Sequence, residues 1–122
     1  KEDRFPIVKV KDEFTPAAYN DPKLVARING VFTTWLGEGA LIERKPTMGG
    51  EDFGMYGRTG HKIPIFMFAL GTVSSDLLKR FRAAGKPLPM VHSSTYAPDI
   101  EPSLRTGVTA TTAAALDLLV KK

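Results

Sequence analysis

The feature that most constrains the fold is the apolar run from Ile63 to Leu70, which reads IPIFMFAL. This run is far shorter than the roughly 18 apolar residues that a membrane span requires. Polar and apolar residues do not alternate along it, which is typical of a strand covered on both faces inside a mixed or parallel sheet. The run therefore predicts an α/β fold, with a partial mixed sheet flanked by helices.

Local signals predict three helices around this run. Asp21-Pro22 combines a capping residue with a proline at the first helical position, and Gly37 is expected to end the helix that begins there. A second, short helix is predicted to end near Gly85. A proline-rich loop then continues to Pro102, and the apolar positions after it predict a long final helix.

Shorter extended segments and a glycine turn complete the predicted order of elements. Residues Phe5 to Lys11 are expected to form a half-buried strand, and Ala40 to Glu43 a second short one. The Gly49-Gly50 turn is expected to open a short helix at Glu51. Four further large apolar residues are expected to pack in the core: Trp35, Met48, Met55 and Met67.

Composition narrows the classes of function. The 122 residues are 43% hydrophobic and 25% charged, as in an ordinary globular domain. The net charge of +4 is spread along the chain without a dense basic block, so nucleic-acid binding is not expected. No cysteine is present, which excludes a thiolate zinc site and a cysteine nucleophile and leaves cytoplasm and periplasm both open.

Two segments carry more than fold information. The first is Pro46 to Phe53, with the sequence PTMGGEDF, and the second is Val91 to Ser94, followed by Tyr96, Pro98-Asp99 and Gly107-Val108. In this order, and with these flanking elements, they resemble the M20 peptidase family, in its aminoacylase and hippurate hydrolase-like amidohydrolase branch. The similarity covers roughly residues 19 to 122.

This resemblance implies a domain organisation. Residues 19–122 correspond to the C-terminal part of a zinc-peptidase-like metallohydrolase catalytic domain, and residues 1–18 to the last strand of the lid, or dimerisation, domain and its linker. The start at Lys1, without an initiator methionine, is expected to be a processed or truncated end. Members of the family commonly form homodimers through the lid, so a homodimer is expected for the complete enzyme.

The resemblance also implies a chemistry. Family members bind two divalent metal ions, usually zinc, cobalt or manganese, and cleave the amide bond of N-acyl amino acids or small peptides. His92 matches the last metal ligand of the family. The other ligands and the general base have no counterpart in these residues, so no catalytic residue is expected here and the segment alone should be inactive. His61, in a polar turn, is expected to be a solvated loop residue.

The Gly49-Gly50-Glu51-Asp52 segment allows two interpretations. A glycine turn at a helix start presents backbone amides to a substrate carboxylate, which predicts a substrate-binding role for Gly49, Gly50, Glu51 and Asp52. The two acidic side chains can instead fix the loop through local hydrogen bonds. The residue types leave both interpretations open.

Two other classes of function remain as alternatives. One is a small non-catalytic α/β domain that binds an anion or a partner protein. The other is a complete small hydrolase that uses His92 with Asp99 or Glu101 and a serine, Ser93 or Ser94, although no Gly-x-Ser-x-Gly segment supports it.

Overall fold

The computed structural model describes residues 4–120, and in that range the chain forms helices and no strand. There are three α-helices in this range: α1 (Pro22–Leu36), α2 (Ser75–Ala83) and α3 (Ile100–Leu119). A 3-10 helix at Asp52–Arg58 lies between α1 and α2. The described residues are therefore all-α, and the predicted α/β fold with a partial mixed sheet is wrong. None of these helices is long and apolar enough to cross a membrane.

Helix α1 begins and ends where its sequence signals predict. The Asp21 carboxylate accepts a hydrogen bond from the Leu24 backbone N–H at 2.8 Å, and Pro22 opens the helix. Proline is tolerated there because the first N–H groups of a helix have no partner within the helix. Gly37 ends the helix with a φ of 91°, in the left-handed region that favours glycine.

The later helices follow the prediction except at one boundary. Helix α2 ends just before Gly85, whose φ is 60°, as expected. Helix α3 begins at Ile100, so the prediction that the irregular loop continues through Pro102 is wrong. Pro102 lies in the first turn, where its missing N–H removes no helical hydrogen bond.

The core lies where α1 packs against α3. Ile28 is completely buried, and Phe32 and Ala110 pack with it. At the edge of this contact, the Nε atom of Arg27 lies 2.5 Å from the Asp117 carboxylate, and its terminal nitrogen donates to the Asp117 carbonyl at 2.6 Å. The apolar contact carries most of the stabilisation, because a partly exposed ion pair contributes little.

The apolar run from Ile63 to Leu70 has no regular secondary structure and packs against this helix pair through Phe66 and Leu70. The side-chain amide of Asn20 donates to the Met67 carbonyl at 2.7 Å and accepts from the Met67 N–H at 2.8 Å. The Asp21 N–H donates to the Ile65 carbonyl at 2.9 Å. These bonds fall on alternate residues, as along one edge of a strand. A strand also requires a neighbouring extended backbone, and within residues 4–120 the run is bonded only by the Asn20 side chain and the Asp21 N–H.

The segments predicted as short strands also differ from expectation. Residues 6–11 and 40–43 have no regular secondary structure, and within residues 4–120 no backbone pairing supports a strand there. The assignment of residues 1–18 to a lid domain stays a prediction, as does the boundary at residue 19. Lys1 to Asp3 and the last two lysines lie outside the described residues.

The chain exposes an unusually large surface. Its accessible area is 11019 Å², whereas a compact protein of 13.3 kDa exposes about 6,500 Å². The prediction that four large side chains pack in the core is wrong, because all of them are exposed: Trp35, Met48, Met55 and Met67. Apart from their mutual contact and the packing of Phe66 and Leu70 on them, helices α1 and α3 leave much of their apolar surface exposed.

Candidate functional site

His92 lies in a turn that holds its backbone in an uncommon conformation. Its φ is 69°, in the left-handed region that side-chain-bearing residues rarely adopt. The Ser93 N–H donates to the Met90 carbonyl at 3.1 Å, so His92 lies just before the donor residue of the turn. Glycine is the usual residue where such a turn needs a positive φ. The imidazole is exposed and makes no hydrogen bond with another described residue.

The turn carrying His92 belongs to a loop, Met90–Asp99, that is tied at its far end to Thr72. The Thr72 carbonyl accepts a hydrogen bond from the Asp99 N–H at 2.7 Å. The Thr72 hydroxyl is also hydrogen-bonded to the Tyr96 hydroxyl, across 24 positions of sequence. Both side chains are half-buried. The sequence alone does not single out Thr72, because a threonine between a glycine and a helix cap carries no distinctive signal.

Internal hydrogen bonds stiffen the same loop. The Ser93 hydroxyl bonds the Thr95 hydroxyl at 2.9 Å and accepts from the Thr95 N–H at 3.3 Å. The Tyr96 N–H donates to the Ser93 carbonyl at 3.1 Å. Consecutive turns therefore connect His92 to the tyrosine that bonds Thr72.

An open groove lies beside this loop. It has a volume of about 640 Å³ and runs between the end of the apolar run, the loop and α3. Its wall includes Leu70, Thr72, Tyr96, Pro98, Leu104 and Val108. Gly107 lets α3 approach the apolar run, because a Cβ atom there would lie 3.2 Å from Leu70 Cδ2. The groove is mostly apolar, and the hydroxyls of Thr72 and Tyr96 meet at its edge.

The donor chemistry suits one metal ligand and not a complete site. A neutral imidazole is a good ligand for zinc and similar divalent ions, and that of His92 is accessible. Within residues 4–120, no group of three or more histidine, aspartate and glutamate side chains comes close enough to hold an ion. A protein metal site of this kind needs at least three such ligands. His92 fits as a single contribution to a site that these residues do not complete.

The predicted substrate-binding residues lie at the start of the 3-10 helix. Gly49 and Gly50 are exposed and lack positive φ values, and Glu51 is the capping residue. The Glu51 carboxylate accepts a hydrogen bond from the Phe53 N–H at 3.3 Å. This bond has the geometry expected if the acidic side chains fix the loop. A substrate-binding role for Gly49, Gly50, Glu51 and Asp52 stays a prediction.

Two glycines of this segment permit close packing on the connector before α1. A Cβ atom on Gly54 would lie 2.8 Å from the Ala17 carbonyl oxygen, and one on Gly50 would lie 3.1 Å from Thr15 Cγ2. Gly50 of the motif and Gly54 just after it thus have a packing role that the sequence pattern did not reveal. Among the described residues, no hydrogen bond or ion pair joins this segment to the His92 loop.

The residues of the serine hydrolase alternative are not assembled in the described part of the chain. The Ser93 hydroxyl pairs with Thr95, and Glu101 pairs with Arg105 at 3.1 Å. No hydrogen bond joins His92 to a serine hydroxyl or to Asp99 within residues 4–120. A serine nucleophile needs a base within hydrogen-bonding distance, so this arrangement does not favour that chemistry.

Two further polar residues lie at or just after the end of the 3-10 helix. His61 is exposed in the turn after the 3-10 helix, which confirms the expectation of a solvated loop residue. The Arg58 guanidinium lies over the Phe14 ring, 5.5 Å from its centroid. Such a cation–π contact stabilises the packing of the segment and makes no site.

Comparisons with family models, curated proteins and solved structures gave no match to this chain. The similarity to M20 amidohydrolases therefore depends on the two motifs alone.

Proposed function

We propose that this chain is part of a metal-dependent amidohydrolase of the M20 type, in which His92 supplies one metal ligand. The observation that carries the proposal is the geometry of His92. An exposed imidazole stands in a turn position that favours glycine, at one end of a loop bonded to Thr72. Unfavourable backbone conformations of this kind are concentrated at functional sites. The substrate class, N-acyl amino acids or small peptides, is inferred from the resemblance.

The exposed surface supports the inference that further protein covers this chain. An unfolded chain of this mass exposes about 19,000 Å², so folding to 11019 Å² buries about two fifths of that area. A self-sufficient domain of this size buries roughly two thirds. The missing burial accords with a chain that packs against the part of the enzyme holding the other ligands.

At such a site, bound divalent ions would supply activation of a water molecule and polarisation of the amide carbonyl. The part of this chain is to hold an imidazole in place for the ion. Because His92 is exposed, its ring is accessible to a metal ion whose other ligands come from another part of the enzyme. A non-catalytic partner-binding domain would not need this imidazole.

The proposal is tested by hydrolysis of N-acyl amino acids by the full-length protein, with zinc, cobalt or manganese added. His92→Ala should lower kcat/KM by at least about a hundredfold, because loss of a ligand disrupts the metal site. His61→Ala is the matched control and should retain activity, since that histidine is exposed in a turn. Equal activity of both variants would remove His92 from the metal site. Absence of metal-dependent hydrolysis in the wild type would favour the binding-domain alternative.

A further inference from the structure

We propose, on the basis of the function proposed above, that Thr72 and Tyr96 are positioning residues for His92. Their paired hydroxyls hold the loop that carries the ligand against the end of the apolar run. Neither residue is proposed to contact the metal ion or the substrate. They act through the loop backbone.

Thr72 holds the His92 loop through two hydrogen bonds. Thr72 accepts from the Asp99 N–H through its carbonyl and bonds the Tyr96 hydroxyl through its side chain. The Tyr96 N–H in turn donates to the Ser93 carbonyl, one residue beyond His92. The path from Thr72 to His92 is thus a short series of hydrogen bonds within one loop.

Thr72 is itself well anchored. It follows the apolar run whose Ile65 and Met67 backbone groups bond residues 20 and 21, directly before α1. Leu70, two positions before Thr72, meets α3 at Gly107. Thr72 therefore connects the His92 loop to the most buried part of the described chain, where α1 and α3 pack together.

A metal ligand must be held within about half an ångström of its working position. Loss of the hydroxyl pair would leave the Asp99 bond intact, so the loop should remain folded while its central part becomes less restricted. The affinity for the metal ion should therefore fall clearly, whereas the free energy of unfolding should change little. A purely structural contact would lower stability and leave metal affinity unchanged.

The experiment is a cobalt titration of the metal-free, full-length protein, followed by the visible absorption of bound Co²⁺. Thr72→Val removes the hydroxyl at nearly constant volume, and Tyr96→Phe removes its partner. Each should raise the Co²⁺ Kd about tenfold, as loss of an outer hydrogen bond to a ligand group typically does. The double variant should bind Co²⁺ with the same Kd as either single variant, because the two substitutions remove the same hydrogen bond.

Thr72→Ser is the matched control, since it keeps the hydroxyl and should bind Co²⁺ within about twofold of wild type. The urea midpoint of each metal-free variant gives the separate measure of stability. An unchanged Co²⁺ Kd in both Thr72→Val and Tyr96→Phe would overturn the positioning role, whatever their stability. If one of these variants does not fold, the other decides.

His92→Ala separates this inference from the function on which it depends. Weaker Co²⁺ binding in His92→Ala, with no change in Thr72→Val and Tyr96→Phe, would reject the positioning role alone. Unchanged Co²⁺ binding in His92→Ala would reject the proposed function and the positioning role together.

Discussion

His92 combines an exposed imidazole with a backbone conformation that is costly for folding. Its φ of 69° places a side-chain-bearing residue where glycine is favoured. The left-handed conformation costs an ordinary residue about 1 to 2 kcal/mol. The surrounding turn tolerates this cost because several hydrogen bonds fix the loop.

This conflict predicts that two substitutions of His92 differ in their effect on stability. Both His92→Gly and His92→Ala remove the imidazole, but only glycine adopts a φ of 69° freely. In metal-free full-length protein, His92→Gly should therefore be more stable than His92→Ala by about 1 kcal/mol. Urea unfolding of the two variants measures the difference. Equal stability would mean that the turn does not hold a left-handed conformation in solution.

The elements show which parts of the fold the sequence could predict. Helix α1 was predicted from its capping residue, its first-turn proline and its terminal glycine, and α2 from apolar spacing and Gly85. These signals act within a few residues of the chain. The apolar run from Ile63 to Leu70 was predicted as a strand and is not one. Its pattern predicts burial on both faces, but Ile65 is the only buried residue of the run in the described chain. A strand is also defined by a hydrogen-bonded neighbour, which local sequence cannot supply.

The 3-10 helix makes a testable packing contact with the connector before α1. A Cβ atom on Gly54 would approach the Ala17 carbonyl oxygen to 2.8 Å, and a backbone group cannot easily move away. Gly54→Ala should therefore lower the free energy of unfolding by about 1 to 3 kcal/mol. Gly60→Ala is the matched control, because a Cβ atom at Gly60 meets open space. A Gly54→Ala variant as stable as Gly60→Ala would disprove the close contact.

At the scale of the whole molecule, the described chain has a small core and a large uncovered apolar surface. The accessible area of 11019 Å² exceeds that of a compact protein of this mass by about 70%. The composition does not indicate this large accessible area, because 43% hydrophobic residues is an ordinary value. Residue content shows what can be buried, whereas actual burial depends on what packs against the chain.

The candidate site was predictable only in part, for the same reason. The resemblance of the motif around His92 predicts a metal ligand there, and this stays a prediction. Its link to Thr72 depends on tertiary structure that brings together residues 24 positions apart. The remaining ligands were expected outside these residues, and their positions cannot follow from this sequence.

The most direct test of the central claim is the metal content of the full-length protein, measured by elemental analysis after removal of loosely bound ions. The wild type and His61→Ala should retain close to two divalent ions per chain, as in the enzymes that the motifs resemble. His92→Ala should retain clearly less, because one site has lost a ligand. The same metal content in His92→Ala as in wild type would contradict the assignment of His92 as a ligand, and with it the proposed role of this chain.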